Sequence, residues 1–196
     1  MWSVEFLMWL AFCWLAGVGL VYQSWKVWRQ TGVNPVVLPR DDSAQGWIGQ
    51  RFRWVLLATW LLLAVQIWRP LPPLWRWPEG WWPIAAFGWA LLLAACVLMP
   101  VAQHQMGRAW RVGFAEQEHT PLISHGVFAR SRNPIFLALR CATWAWLLIQ
   151  PTTWNLALCL LADVLIQVQV RLEEAHLMHQ HGDAYRQYQR QVRRWI

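Results

Sequence analysis

At 196 residues, 57% hydrophobic and 14% charged, with 19 Trp and a formal net charge of +7, the chain has the length of one domain and the composition of a membrane protein. A soluble domain would carry roughly 25% charged residues, so that class is excluded. The basic excess would suit nucleic acid, but the arginines sit between apolar runs, which makes anionic lipid headgroups the simpler partner.

Five apolar runs come near the about 20 residues that cross a bilayer. They are residues 5–23, 53–69, 82–102, 134–149 and 153–170, the fourth short enough to begin at the interface. Segments this apolar must be helical, because hydrocarbon satisfies no open backbone. The expected fold is all-α: an integral membrane protein of about five transmembrane helices plus a cytoplasmic amphipathic C-terminal helix. Residues 1–103 hold three spans; residues 104–196 hold a loop, a transmembrane hairpin and a tail. The first run has no basic residue before it and no A-x-A-like site after it, so it reads as a span and not as a cleaved signal.

Basic residues set the orientation. The loops after spans one and three and the tail carry five, four and five of them; the opposite side carries Arg69 and Arg76. This positive-inside bias places the N-terminus outside and both the loop and the tail in the cytoplasm. The stretch Thr31 to Gly49, with Asp41 and Asp42, either covers a pocket or joins two spans. Trp68 to Trp82, rich in Trp and Pro, reads as a headgroup-level segment, with a carbohydrate- or choline-binding aromatic surface as the alternative. The cysteines at 13, 96, 141 and 159 lie inside apolar runs without paired spacing and read as small buried groups.

Chemistry concentrates around the last two spans. Asn133-Pro134 is a helix start, with Asn suited to the cap and Pro to the first helical position. The amides of that first turn, with Arg130 and Arg132 just before it, favour an anion such as a carboxylate or a phosphate; the alternative is an arginine pair meeting lipid phosphates. His125-Gly126 suits a turn with positive φ at Gly, which brings the backbone of Gly126 and Val127 and the ring of Phe128 towards a ligand. Glu173 and Glu174 follow the last span and invite a cation, or pair with a nearby arginine.

Within the spans, Arg140, Asp163, Gln167 and Gln169 are costly in lipid. Arg140 lies about 9 Å from Pro134 along the helix, within snorkelling reach of the headgroups. Asp163 must face protein, water or a cation. Gln169 is one turn before Glu173 on the same face. His176, His179 and His181 lack a ligand set for a metal. In the tail, Tyr185, Tyr188, Val192 and Trp195 share one helix face and arginines take the rest, an amphipathic pattern expected to lie on the membrane surface. Gly182 breaks it from the preceding helix, and Asp183 is placed to cap its start.

Three stretches together carry a resemblance. Leu122 to Phe136 resembles the L-V-T-x-G-x-Y-x-x-x-R-H-P-x-Y segment of isoprenylcysteine carboxyl methyltransferases and their bacterial relatives, with phospholipid N-methyltransferases more distant. Met106 to Gly113 resembles the bacterial members' G-R-x-W-R-x-G stretch. Glu173-Glu174-x-x-Leu177, with Gly182, Tyr185 and Tyr188, resembles the family's E-E-x-x-L-x-x-x-x-G-x-x-Y-x-x-Y tail. The match covers residues 104–196.

The resemblance implies a multi-span enzyme that binds S-adenosyl-L-methionine at the cytoplasmic face, under the loop and tail. It implies cofactor contacts at Pro121, Leu122, Ile123, Phe128, Asn133, Pro134, Ile135, Phe136 and Glu173. Asn133 stands where the family usually has His, and Phe128 and Phe136 stand where it has Tyr. The family arginine that meets a substrate carboxyl falls on Gln169, and Arg171 points about 200° round the helix from it, which weighs against a prenylcysteine carboxylate. Arg132, Gln169 and Glu174 are the expected catalytic residues, with Asp163 or Glu174 as base for an amine or phenol acceptor.

The expected function is methylation of a small lipophilic acceptor: a carboxylate, thiol, amine or lipid headgroup. The expected partners are that acceptor and membrane lipids, without nucleic acid, and the expected place is a bacterial inner membrane. The alternatives are an NADPH-dependent membrane reductase of the sterol or steroid type and a non-catalytic scaffold.

Overall fold

A computed structural model describes residues 3–37, 42–74, 82–113 and 121–196. Helix α1 spans Val4–Ala16 and starts where Ser3 Oγ accepts from Phe6 N at 3.2 Å. It passes through a π-helical turn, Gly17–Tyr22, into α2, Gln23–Thr31, which stops at Gly32 with φ 70°. Helix α3, Ala44–Trp68, is capped by Ser43, and α4 spans Trp82–Met106. Helix α5, Pro134–Ile149, and helix α6, Thr153–His181, form the hairpin, and α7, Asp183–Gln191, follows. Among the described residues the only β-pairing is an isolated parallel bridge, Val36 to Val112.

Among the described residues, four helical stretches are long and apolar enough to cross a membrane: Val4–Thr31, Ala44–Trp68, Trp82–Ala109 and Thr153–His181. The fifth, α5, has 16 residues and a length of about 24 Å, short of a hydrocarbon core of about 30 Å. Helices α3 and α6 extend well past the expected spans, because hydropathy marks only the part that lipid surrounds. Of the Trp- and Pro-rich stretch from Trp68 to Trp82, residues 75–81 lie outside the described residues.

Small residues let the helices close up. Ala95 of α4 and Ala138, Ala142 and Ala145 of α5 are buried in one cluster with Met8, Leu63 and Trp146. A Cβ on Gly88 would lie 2.8 Å from Ile149 Cγ1 and 3.2 Å from Ala145 O. Van der Waals contact of this kind is what holds helices together in lipid. Pro100 lies inside α4 and cannot bond back to Cys96 O; Trp14 Nε1 donates to that carbonyl instead, at 3.2 Å. At one end of the bundle a polar chain ties α3, α6 and α1 through the turn after α5: Gln66 Nε2 donates to Asn155 Oδ1 at 2.8 Å, Asn155 Nδ2 to Gln150 O at 2.7 Å, and Gln150 Nε2 to Glu5 Oε1 at 2.6 Å.

Three expectations are corrected. Arg140 does not reach for headgroups; its Nε donates to Asp163 Oδ1 at 2.6 Å and its guanidinium lies 4.6 Å from the Trp195 ring. This pairing answers the desolvation of both charges. The apolar face of α7 does not meet lipid: Tyr185, Tyr188 and Val192 pack on Leu122, Leu177 and Met178. Asp183 does not cap α7; Gly182 holds the cap position and Asp183 pairs with Arg186 at 2.9 Å.

Candidate active site

The loop before α5 is built around two anchors. Gly126 has φ 62°, the left-handed region that side chains disfavour, and a Cβ there would collide with the Gln105 amide. Gln105 Oε1 accepts from Val127 N at 2.9 Å, so α4 grips the turn. The close approach at Gly126 therefore serves Gln105. On the other side Tyr188 donates its hydroxyl to Phe128 O at 2.6 Å. Burial pushes that hydroxyl's pKa up to about 12, against the opposing pull of Arg132. Burial likewise raises that of Tyr185.

Beyond this turn the chain segment 131–133 is strapped by the tail. Arg132 N donates to Arg193 O at 3.0 Å, and Ser131 Oγ to Arg194 O at 3.2 Å. The strap converges on Glu174. Its carboxylate accepts from Arg132 Nε at 3.2 Å, Asn133 Nδ2 at 3.0 Å and Arg194 Nη2 at 2.7 Å. Arg132 Nη1 also donates to Gln189 O at 3.1 Å. Asn133 stands at the cap of α5, but its side chain makes no cap bond and turns to Glu174 instead. Pro134 takes the first helical position as expected.

Two cavities meet under this loop. A smaller one, about 90 Å³, lies between Pro121, Leu122 and Ile123 on one side and His176, Leu177 and Tyr188 on the other. A larger one, about 260 Å³, runs from Asn133, Pro134, Ile135 and Phe136 up into the bundle as far as Phe12 and Trp60. They share a wall made of Met106, Arg111, Gly113, Phe128, Arg132 and Glu173. The segment after α2 reaches that wall: Val37 N donates to Val112 O and Val112 N to Pro35 O, each at 2.9 Å. Among the described residues no group of three or more His, Cys, Asp or Glu could hold a metal ion.

Most residues expected at the site are thus brought together. Arg132, Phe128 and Glu173 border both cavities. Gly126, Val127, Gln169 and Glu174 border neither. Asp163 is held by Arg140 and is absent from both linings. Sequence reasoning missed Gln105 and Arg194. Gln105 closes an apolar helix and Arg194 sits in a run of tail arginines, so neither position carried a signal.

The site can be compared with known proteins. A family model described as phospholipid methyltransferase matches residues 83–184. Methanethiol S-methyltransferase of Mycobacterium tuberculosis is 31% identical over 160 residues, 73% of this chain. The match spans 62% of that relative's length. No solved structure matches. The family model covers α4, the loop, the hairpin and the start of α7, which supply the whole wall shared by the two cavities, and with the relative's identity it shows that the chain belongs to the phospholipid methyltransferase family of isoprenylcysteine carboxyl methyltransferase-like membrane enzymes.

Proposed function

We propose that the chain transfers a methyl group from S-adenosyl-L-methionine to a small lipophilic acceptor, at the cytoplasmic face of the membrane. The observation that carries this reading is the shared wall: a cavity under the loop and tail abuts one reaching into the helix bundle, at Phe128, Arg132 and Glu173. The residues present fit the cofactor. Glu173 offers a carboxylate for ammonium and sulfonium charge, Arg132 a guanidinium for a carboxylate, and Leu122, Ile123 and Tyr188 an apolar and aromatic lining for adenine. The smaller cavity has room for about three waters, so it takes only part of such a molecule, and the shared wall takes the rest.

When bound, the cofactor supplies a methyl group on a cationic sulfur. The chain's own work is positioning and exclusion of water. Arg132 is fixed by Glu174 and by Gln189 O, so its orientation does not depend on a ligand. Phe128, held through Tyr188, closes the loop side. The apolar lining of the larger cavity would hold the acceptor's body in line with the wall. The relative's named acceptor is a thiol, a small molecule of the same lipophilic kind. The cytoplasmic side rests on the fourteen basic residues of the loops and tail against two opposite.

Calorimetry of the purified chain in detergent tests the reading, with S-adenosylmethionine, S-adenosylhomocysteine and NADPH. Micromolar binding of the first two, lost in Glu173→Ala, is expected. No binding of either removes the methyltransferase reading, and binding of NADPH alone would make the chain a reductase.

A further inference from the structure

Gln103 lies on α4 one turn before Met106, borders the larger cavity and is only 3% exposed. Its Nε2 donates to Gly19 O at 2.8 Å, inside the π-helical turn, and its backbone oxygen accepts from Gln23 Nε2 at 3.2 Å. The Gly19 contact orients the side-chain amide, because turning it over would set its oxygen against the Gly19 carbonyl. The remaining atom, Oε1, is buried and has no hydrogen-bond partner. An acceptor left in this state opposes folding, and an apolar side chain would have filled the place without that cost.

The other polar side chains on the wall away from the loop are few. Thr143 donates its hydroxyl to Arg140 O at 3.0 Å. Thr59 is 5% exposed. The rest of that lining is apolar, from Phe12 and Leu15 through Val55 and Met99 to Ile166. The cavity has room for about nine waters, which is far more than a thiol of two heavy atoms would fill.

Resting on the proposal that this cavity holds the methyl acceptor, we infer that Gln103 Oε1 selects it by accepting a hydrogen bond from it. The acceptor is then an apolar molecule bearing one O–H or N–H group, a phenol, alcohol or amine. A thioether, an ester or a hydrocarbon has no proton to offer, and a thiol is a weak donor. Binding of the right molecule gives the buried Gln103 oxygen the partner it lacks, so the discrimination uses a group that the fold has already oriented. A site built to meet a donor rejects the analogue that lacks it, because its own buried group is then left unpaired.

The test uses 4-propylphenol and its methyl ether, 4-propylanisole, which differ in the donor. Each is bound to the full chain in detergent, without cofactor, and corrected for partition into empty micelles. The phenol is expected to bind about tenfold more tightly than the ether. In Gln103→Met that preference should fall below about threefold, with the ether's affinity kept. Thr59→Val leaves the Gly19 contact intact and should retain the preference, which covers the case in which Gln103→Met fails to fold. Equal affinities in the natural chain, binding of neither probe, a preference that survives Gln103→Met, or one that is lost in Thr59→Val would each overturn the inference. Because no cofactor is present, failure of S-adenosylmethionine to bind would sink the methyltransferase reading and leave this result standing.

Discussion

Replacing Glu174 by Ala should unfasten the loop from the tail. In the folded chain this carboxylate faces two guanidinium groups and one amide, and its side chain is 6% exposed. Arg132 is 11% exposed and Arg194 32%. Without Glu174, Arg194 can turn to water, so its share is that of a surface pair, about 1 kcal/mol or less. Arg132 cannot, and an uncompensated buried charge costs about 3–5 kcal/mol. For a chain of this size that is a fall of about 6–20 °C in unfolding midpoint. Tryptophan fluorescence during heating in detergent reads it. Arg194→Met should cost about 1 kcal/mol, and its effect should largely vanish in the Glu174→Ala background, since both remove one interaction. A midpoint for Glu174→Ala within about 2 °C of the natural chain would refute the reasoning: the carboxylate would then not be what holds the strap.

Tyr188→Phe leaves the Phe128 carbonyl unpaired and should cost about 1–3 kcal/mol, read by the same unfolding assay, with weaker S-adenosylhomocysteine binding. The pH dependence follows from the raised pKa, about 12 against 10.0 unfolded: this tyrosine's contribution is full below pH 10 and is lost as pH rises through about 12. A titration of unfolding midpoint between those values checks it, and Tyr188→Phe should flatten the fall. Gly126→Ala forces a left-handed residue against Gln105 and should cost at least about 1–2 kcal/mol, more than Gly17→Ala, whose Cβ would meet nothing within 4 Å. Asp163→Ala strands Arg140 and should cost about 2–4 kcal/mol, while Asp163→Ala with Arg140→Leu should recover much of the loss; equal instability of the single and double variants would show that the pair contributes little.

The apolar runs made the helices legible because lipid imposes a crude, strong rule on composition. The positions of Asn133-Pro134, Gly126 and Gly182 were legible for a similar reason: backbone geometry restricts which residue can stand there. What escaped was the identity of each polar partner. Glu174 and Glu173 are adjacent, yet one is consumed by Arg132, Asn133 and Arg194 and the other borders both cavities. A helix turns about 100° per residue, and no local pattern says which of two neighbours faces a tail twenty residues on. The amphipathic pattern of α7 was real, but periodicity reports an apolar face and not what covers it. Here the protein covers it, through Leu122 and Leu177.

The shortness of α5 sets a condition on the lipid itself. If the turn at residues 150–153 rests at one headgroup level, a helix of 16 residues ends about 6 Å below the opposite one. The part of the larger cavity lined by Pro134 to Phe136 would then sit beside a dimple of the bilayer, where acyl chains rather than water surround that end of the helix. A greasy molecule diffusing laterally would meet the site without first leaving the membrane. The bilayer must thin around that dimple, at a cost of fractions of a kcal/mol per ångström. Thickness thereby becomes a tuning variable: reconstitution in lipids of shorter acyl chain should favour the fold, and longer chains should strain it.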